Sequence, residues 1–578
     1  MSKTKKVIKW VLYTLLVAVV AFFIERMWTL HLQRTIAPEI AEHLAPLDLS
    51  GTSRDTVAFH EVLHKIVDDK SILGFGEATH GTAEFERAFA HITKKLIREK
   101  GFNVVVFAEM NFADTWALNH YVLQNREGDE AGYHTPHAFM QEDRIQLIKW
   151  LRTYNSNKQP HEKVWLLGAD VNSPNEAARN ALLFCEENNI VLPSETREAL
   201  IAVKQLTLYS AAQTTREKLS LEDLLKEIQP LHRLIQQNNR QQDSLNLRQL
   251  WLYQSITNLD NALRSYFAAS HSQDPFRDST MYNNIKWVLK QRPEAKMLVY
   301  AHNVHIAKKI GYKDISPGVA RLGWHLNQHH RDKYAVIGTE ACKGSYIYSE
   351  KEETTTIAEK MGKIGTAIAK ATDTPSGLLH LNATPALTEF FNRSHTISMG
   401  IASPAPMYSR TEALAEAFDG IFYVRESTPL QVRKLYGFDM ELALDKEKHR
   451  NLLQGNSISL SCTTSYSTLD THQSKKGVEL SINYLNEDLK LINYETTQLS
   501  PGGKLAKEYS LPDGTASIRL RFSGSKVKDF TLTNFTINGI PIREQDIKLY
   551  GERYQQKFKK KLYHSASALG PIQVSLVK

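Results

Sequence analysis

Cysteine is scarce in this chain: its 578 residues include three, Cys185, Cys342 and Cys462. Far apart and odd in number, they exclude a disulfide framework and offer no close spacing for a cysteine-ligated metal. No Gly-x-Ser-x-Gly stretch is placed to act as a nucleophile elbow, because Gly524-Ser525 lies in a late, β-patterned region. Cys185 has no basic neighbour to activate it. Internal repeats and low-complexity tracts of interpretable length are also missing. Charge of one sign is weak. The 71 basic residues exceed the 63 acidic ones by only +8, and several of them sit at the extreme N terminus or in the group Lys557, Lys559, Lys560 and Lys561. That distribution is no nucleic-acid footprint, so no nucleic-acid partner is expected.

What is present is a globular composition, 42% apolar and 23% charged, in a chain long enough for about two to four domains. The one long hydrophobic run, Trp10 to Ile24, follows Lys3, Lys5, Lys6 and Lys9 and stops at Glu25 and Arg26. Val7, Ile8 and a snorkelling Lys9 extend it to the ~17 residues that are the least a bilayer needs. The basic flank predicts a signal anchor over residues 1–30 with the body outside the cytoplasm, periplasmic or at the cell surface. The competing reading is a cleaved signal peptide ending near Val19-x-Ala21. No cysteine follows closely enough for a lipoprotein anchor.

After a polar connector, helical spacing at Phe59, Val62, Leu63 and Ile66 leads to the run Ser71 to Gly76, which ends in Glu77. Val104 to Glu109 and Val164 to Asp170 are further short apolar runs, separated by helical patterns, and each ends in a carboxylate. Lys296 to His305 and Tyr334 to Glu340 continue the alternation. Strands alternating with helices imply a mostly parallel, helix-covered central sheet. The expected organisation is an α/β domain over 34–432 with a helical insertion at about 175–272. Period-two segments such as Val478, Leu480, Ile482 and Tyr484 then predict a jelly-roll-like β-sandwich over 446–578.

Three strand ends deliver ionisable groups: Glu77 with His80, Glu109, and His302 with His305. A hydrolase needs a base near neutral pH to take a proton from water, which suits histidine, and a carboxylate beside the ring fixes its tautomer. Each residue alone is more simply a hydrogen-bonded strand-end group; convergence on one face is what favours chemistry. The same set could hold a divalent metal, although neither pair has the helical His-Glu-x-x-His form of zincins. Arg277 and Asp278 open a helical pattern, where Asp278 would complement the helix dipole. His134, His137, His329 and His330 read as solvated loop residues.

Gly76-Glu77-Ala78-Thr79-His80-Gly81-Thr82-Ala83-Glu84-Phe85, the Glu109 strand, Trp150 to Asn155, Gly168-x-Asp170, Arg277-Asp278-x-x-Met281 and Ala301-His302-Asn303-x-His305 stand in an order that resembles the erythromycin esterase family, from about Leu49 to Pro429. The resemblance implies a hydrolase that opens an ester or a macrolide-like lactone. His80 matches the proposed general base, Glu77 and Glu109 the carboxylates around it, and His302 and His305 the second histidine pair. Arg87, Arg277 and Asp170 are the expected substrate-binding residues. Two departures stand out. The basic residue that the family carries nine positions after this histidine is here Phe89, with Arg87 nearby as its substitute. Phe139-Met140-Gln141 replaces a tryptophan that often begins a loop. The expected partners are a small-molecule ester or lactone, the membrane through the N-terminal helix, and a glycan through the β module. No cofactor is expected. Two alternatives stay open: a metal-dependent hydrolase or peptidase, and a non-catalytic ligand- or glycan-binding surface protein.

Overall fold

The short apolar runs that end in Glu77, Glu109, Asp170 and His302 become strands that are buried along almost their whole length. In chain order the strands are β1 (Leu44–Pro46), β2 (Ile72–Glu77), β3 (Val104–Asn111), β4 (Trp165–Asp170), β5 (Met297–His302), β6 (Tyr334–Ile347), β7 (Thr354–Ile357) and β8 (Ser376–His380). The hairpin β9 (His395–Ile401) and β10 (Pro406–Thr411) and the last strand β11 (Gly420–Ser427) follow. The computed structural model describes residues from Trp10 to Leu576, apart from 50–55, 124–141, 207–219, 239–245, 269–273, 310–317, 348–353, 402–405, 431–436, 469–477, 543–547, 550–557, 563–571 and shorter gaps, many of them before residue 34.

A nine-stranded sheet has the order β1-β8-β11-β6-β2-β5-β3-β4, with β7 on β6. Its centre is parallel: β2 lies between β5 and β6, and β3 lies between β4 and β5. Both sheet faces are covered. One is packed by α1 (Val57–Val67) and α2 (Ala83–Lys100), with Phe59, Leu63, Phe85, Phe89 and Leu96 against Phe75 and Tyr300; α3 (Glu142–Ser156) adds Leu147, Ile148 and Leu151. The other is packed by α4 (Pro275–Gln291), through Met281, Ile285 and Val288. Between β4 and α4 the described residues form helices, among them Pro174–Glu187, Leu221–Asn238 and Leu247–Thr257, which bury a core of their own around Phe184, Leu200, Ile228 and Leu263.

The chain divides into two compact units, of which the second is the C-terminal one, from 432 onward. Two antiparallel sheets, of five and six strands, make up its described part. Alternating residues of Val478–Leu485 and Ser517–Ser525 point inward to share a core with Leu460, Phe530 and Ile537. This sandwich begins earlier than position 446. Gly437–Asp445 pairs along its length with Ser517–Ser525 and buries Leu442 and Leu444.

The N-terminal expectation is corrected. Among the described residues no helix is long and apolar enough to cross a membrane. The described part of the Trp10 run is helical, but Lys9 on one side and Glu25-Arg26 on the other hold the uninterrupted apolar run to Trp10–Ile24, below the ~17 residues that are the least a bilayer needs. The transmembrane helix therefore leaves the fold class, and the membrane partner and the periplasmic or cell-surface placement of the body lose their support. Phe139-Met140-Gln141, His134 and His137 lie outside the described residues. His329 and His330 close a helix, Leu322–His330, and His329 stacks on Tyr282 at 5.1 Å, so neither is a loop residue.

Candidate active site

The carboxyl ends of adjacent parallel strands are where open α/β sheets bind ligands, and the ionisable residues meet there. Glu77 ends β2 directly opposite His302, which ends β5. His80 lies on the turn between β2 and α2, where its Nδ1 meets Glu77 Oε2 at 2.7 Å. That turn is pinned on several sides. Ala78 N–H donates to Thr339 Oγ1, Ser398 Oγ donates to the Ala78 carbonyl, and the Gly81 carbonyl accepts from Ile347 and Leu430 N–H.

Glu109 reaches the same point because β3 is irregular there. Its pairing with β4 shifts between Phe107 and Asn111, as in a bulge that re-aims a side chain. Gly168 makes room for it: a β-carbon at that position would stand 2.2 Å from the Met110 carbonyl oxygen. Glu109 Oε1 lies 2.9 Å from His302 Nδ1, and its Oε2 accepts from the His302 backbone N–H at 2.9 Å. Beneath the His302 ring is Gly400, at φ +142°, where a β-carbon would fall 2.9 Å from the imidazole. The His80 and His302 rings approach to 3.9 Å between centroids. Two imidazole–carboxylate pairs thus stand side by side.

A buried frame holds them. His305 is carried by α5 (Asn303–Ile306); its Nδ1 meets Asp278 Oδ1 at 2.7 Å and its Nε2 lies 3.6 Å from Glu109 Oε1. Asp278 also accepts from Arg321 and from the Leu322 N–H. Asp170 is fully buried, grips Arg277 through Nε at 3.0 Å and Nη2 at 2.6 Å, and accepts from Val171 and Asn172 N–H. Arg277 in turn lies 3.8 Å from Glu109. Asp170 is therefore spent on supporting Arg277. Arg87 stands outside the cluster, partly exposed and bonded to Asp143 at 3.2 Å. A second cation beside the cluster, after Arg277, is Arg144, from the first turn of α3, paired with buried Glu86 and lying over the Phe107 ring at 4.6 Å.

Electrostatics separate the two histidines. Burial works against charge on His80, yet Glu77 and Glu109 outweigh it and raise its pKa above the ordinary 6.5. For His302 burial prevails over the attraction of Glu109, and the nearby His80 adds repulsion, so its pKa is lowered. Burial would also raise Glu109, but His302, His305 and His80 hold it well below the usual carboxylate range. In the sequence Asp278 reads only as a dipole partner, and nothing marks Arg321, Arg144 or Glu86. Asp278 stands beside Arg277, which is a usable signal; the others pair across helices distant in sequence, and no local pattern betrays them.

A family model described as erythromycin esterase matches residues 97–427, a stretch that includes Glu109, Asp170, Arg277, His302 and His305 and begins after His80. Erythromycin esterase type II of Escherichia coli is 24% identical over 402 residues, covering 64% of this chain and 93% of that protein. A putative hydrolase of Bacillus subtilis (strain 168) is 25% identical over 429 residues, covering 68% and 92%. Two solved structures share the fold. A Bacillus cereus protein does so with a TM-score of 0.56 at 23% identity, covering 70% of this chain and 99% of that one. A mutant of the erythromycin esterase EreC in its open conformation does so with a TM-score of 0.53 at 17% identity, covering 68% and 99%. The chain belongs to the erythromycin esterase family and is an enzyme of the esterase type that acts on a small molecule.

Proposed function

We propose that the chain hydrolyses a carboxylic ester or lactone, macrolide-like rings among the candidates, with His80 as the general base that takes a proton from water. The observation that carries this reading is the pair of imidazole–carboxylate contacts, His80 with Glu77 at 2.7 Å and His302 with Glu109 at 2.9 Å, with the rings 3.9 Å apart. A carboxylate on Nδ1–H fixes the tautomer whose Nε2 is the basic atom, and it stabilises the imidazolium as it forms. His80 is the most accessible member, 24% exposed against 6% for His302, so substrate meets it first. His302, kept neutral by burial, offers its otherwise unpartnered Nε2 to orient the same water. The proton taken by His80 then passes to the departing alkoxide. Arg277, Asp170, Asp278 and His305 are positioning residues that act through Glu109.

A second reading has one specific observation behind it. Glu77, His80, Glu109 and His302 each offer a ligand atom within 4.8 Å of the others, a donor set that suits a divalent ion. Each carboxylate gives one oxygen to an imidazole Nδ1, and Glu77 Oε1, which has no hydrogen-bond partner, stays available with the ring nitrogens. The two imidazole–carboxylate contacts already account for the inward aim of the carboxylates, so we favour chemistry without a metal. His80→Ala and His80→Asn are expected to lower kcat on an ester and lactone panel by ~10²–10⁴ with unchanged thermal unfolding; near-normal turnover would defeat the assignment. Loss of wild-type activity to a chelator, with recovery on adding metal, would favour the second reading.

A further inference from the structure

We propose that the chain has a second site, remote from the first, where His60, His64 and Glu99 bind a divalent transition ion of the zinc class. The stretch His60-Glu61-Val62-Leu63-His64 is a His-Glu-x-x-His sequence on a regular helix, α1. Phe59, Leu63, Ile66 and Val67 bury one side of that helix, and the two histidines, one turn apart, share another. Glu99 comes from the last turn of α2 and stands between them.

The distances fit an ion. Glu99 Oε2 lies 3.6 Å from His60 Nδ1 and 3.3 Å from His64 Nε2, and the three ligand atoms all fall within 4.8 Å of one another. Zinc bonds of ~2.0–2.1 Å at tetrahedral angles place ligand atoms ~3.3–3.4 Å apart, so little movement is needed. Side-chain exposures of 36%, 35% and 36% leave a way in and a fourth position for water. Glu61, between the two histidines in sequence, is exposed. At ~1.5 Å per residue Glu99 stands ~24 Å along α2 from Ala83, which adjoins the His80 turn, so the two sites are separate.

Lys95 governs access. Its ammonium, on a side chain only 8% exposed, contacts His60 Nε2 and lies 3.3 Å from Glu99 Oε1, the atoms an ion would leave unused. An imidazole that gives Nδ1 to a metal carries its proton on Nε2, and that N–H cannot accept from an ammonium. Loading must therefore move Lys95 off His60, which makes Lys95 a competitor of the ion.

The test is titration of tag-free, chelator-stripped full-length protein with Zn²⁺ by calorimetry, and with Co²⁺ by its visible absorption. The expected result is one equivalent bound. His64→Ala and Glu99→Gln should weaken binding at least tenfold, Lys95→Met should tighten it, and His302→Ala should leave it unchanged. Esterase turnover and the circular dichroism of His64→Ala and Glu99→Gln should match the wild type. Absence of stoichiometric binding, binding unaffected by His64→Ala and Glu99→Gln, or binding abolished by His302→Ala instead would overturn the proposal; the last would put the ion in the His80 cluster.

Discussion

Single side chains in the His80 cluster hold their charge only because their neighbours do. Burial alone would drive Asp278 neutral, but His305, Arg321 and Arg277 keep it far below the usual range, as the histidines do for Glu109. For carboxylates whose folded pKa is depressed, the stabilisation is whole above the unfolded value of about 4 and is lost as pH falls through the folded one. The loss of stability followed by circular dichroism should therefore steepen below about pH 4, after a shallower loss that begins as pH falls below 6.5, where His302, held neutral by burial, opposes protonation in the fold. Activity should fail sooner. The pKa of His80 is raised above 6.5, so its basic form disappears as pH falls through a point higher than 6.5. The acidic limb of kcat/KM is expected there, and in Glu77→Gln it should move down; a wild-type limb at or below 6.5 would contradict the pairing. Gly400→Ala tests position without charge. Its new methyl must push the His302 ring aside, and a displacement of ~1 Å is worth ~10² in turnover. Unchanged kcat in a folded Gly400→Ala protein would show that the ring tolerates displacement. Glu77, His80, Glu109, His302 and His305 are legible in the sequence because each follows a short apolar run. Arg144 is not, since its partner Glu86 lies on another helix and a lone arginine in a helical pattern reads as surface.

Among elements, the His80 turn depends on a strand distant in sequence. Ala83 N–H donates to the Thr428 carbonyl, Thr428 Oγ1 donates to Glu84 at 2.6 Å, and Leu430 N–H donates to the Gly81 carbonyl. The end of β11 thus clamps the entry to α2. A chain ending after Gln431 should keep turnover of a small soluble ester within a few-fold of the full chain, whereas one ending after Ser427 should lose it while retaining most of its helical circular dichroism. Equal activity in both would show the clamp to be dispensable. Parallel strands and helices could be read from period and run length. The start of the sandwich could not, because Gly437–Asp445 alternates Phe438, Met440, Leu442 and Leu444 like the strands that follow but comes soon after the last α/β strand in sequence. Its pairing with Ser517–Ser525 and its buried Leu442 and Leu444 assign it.

For the molecule as a whole, each of the two units has its own buried core. The N-terminal run misled by flank and length together. Its basic neighbours read as the flank of an anchor, while its charged end keeps it short, and flanking charge orients a span without lengthening it. The strand order carries a different consequence. β2 is made early, yet its neighbours are β5 and β6, and its following turn is closed by Leu430. During synthesis the Glu77–His80 segment therefore leaves the ribosome long before any strand that can pair with it. Contacts so distant in sequence make folding slow. The nascent chain carries an unpaired β2, apolar from Ile72 to Phe75, until residues around 300 emerge, and its site is completed late, when the Thr428–Leu430 segment clears the exit tunnel.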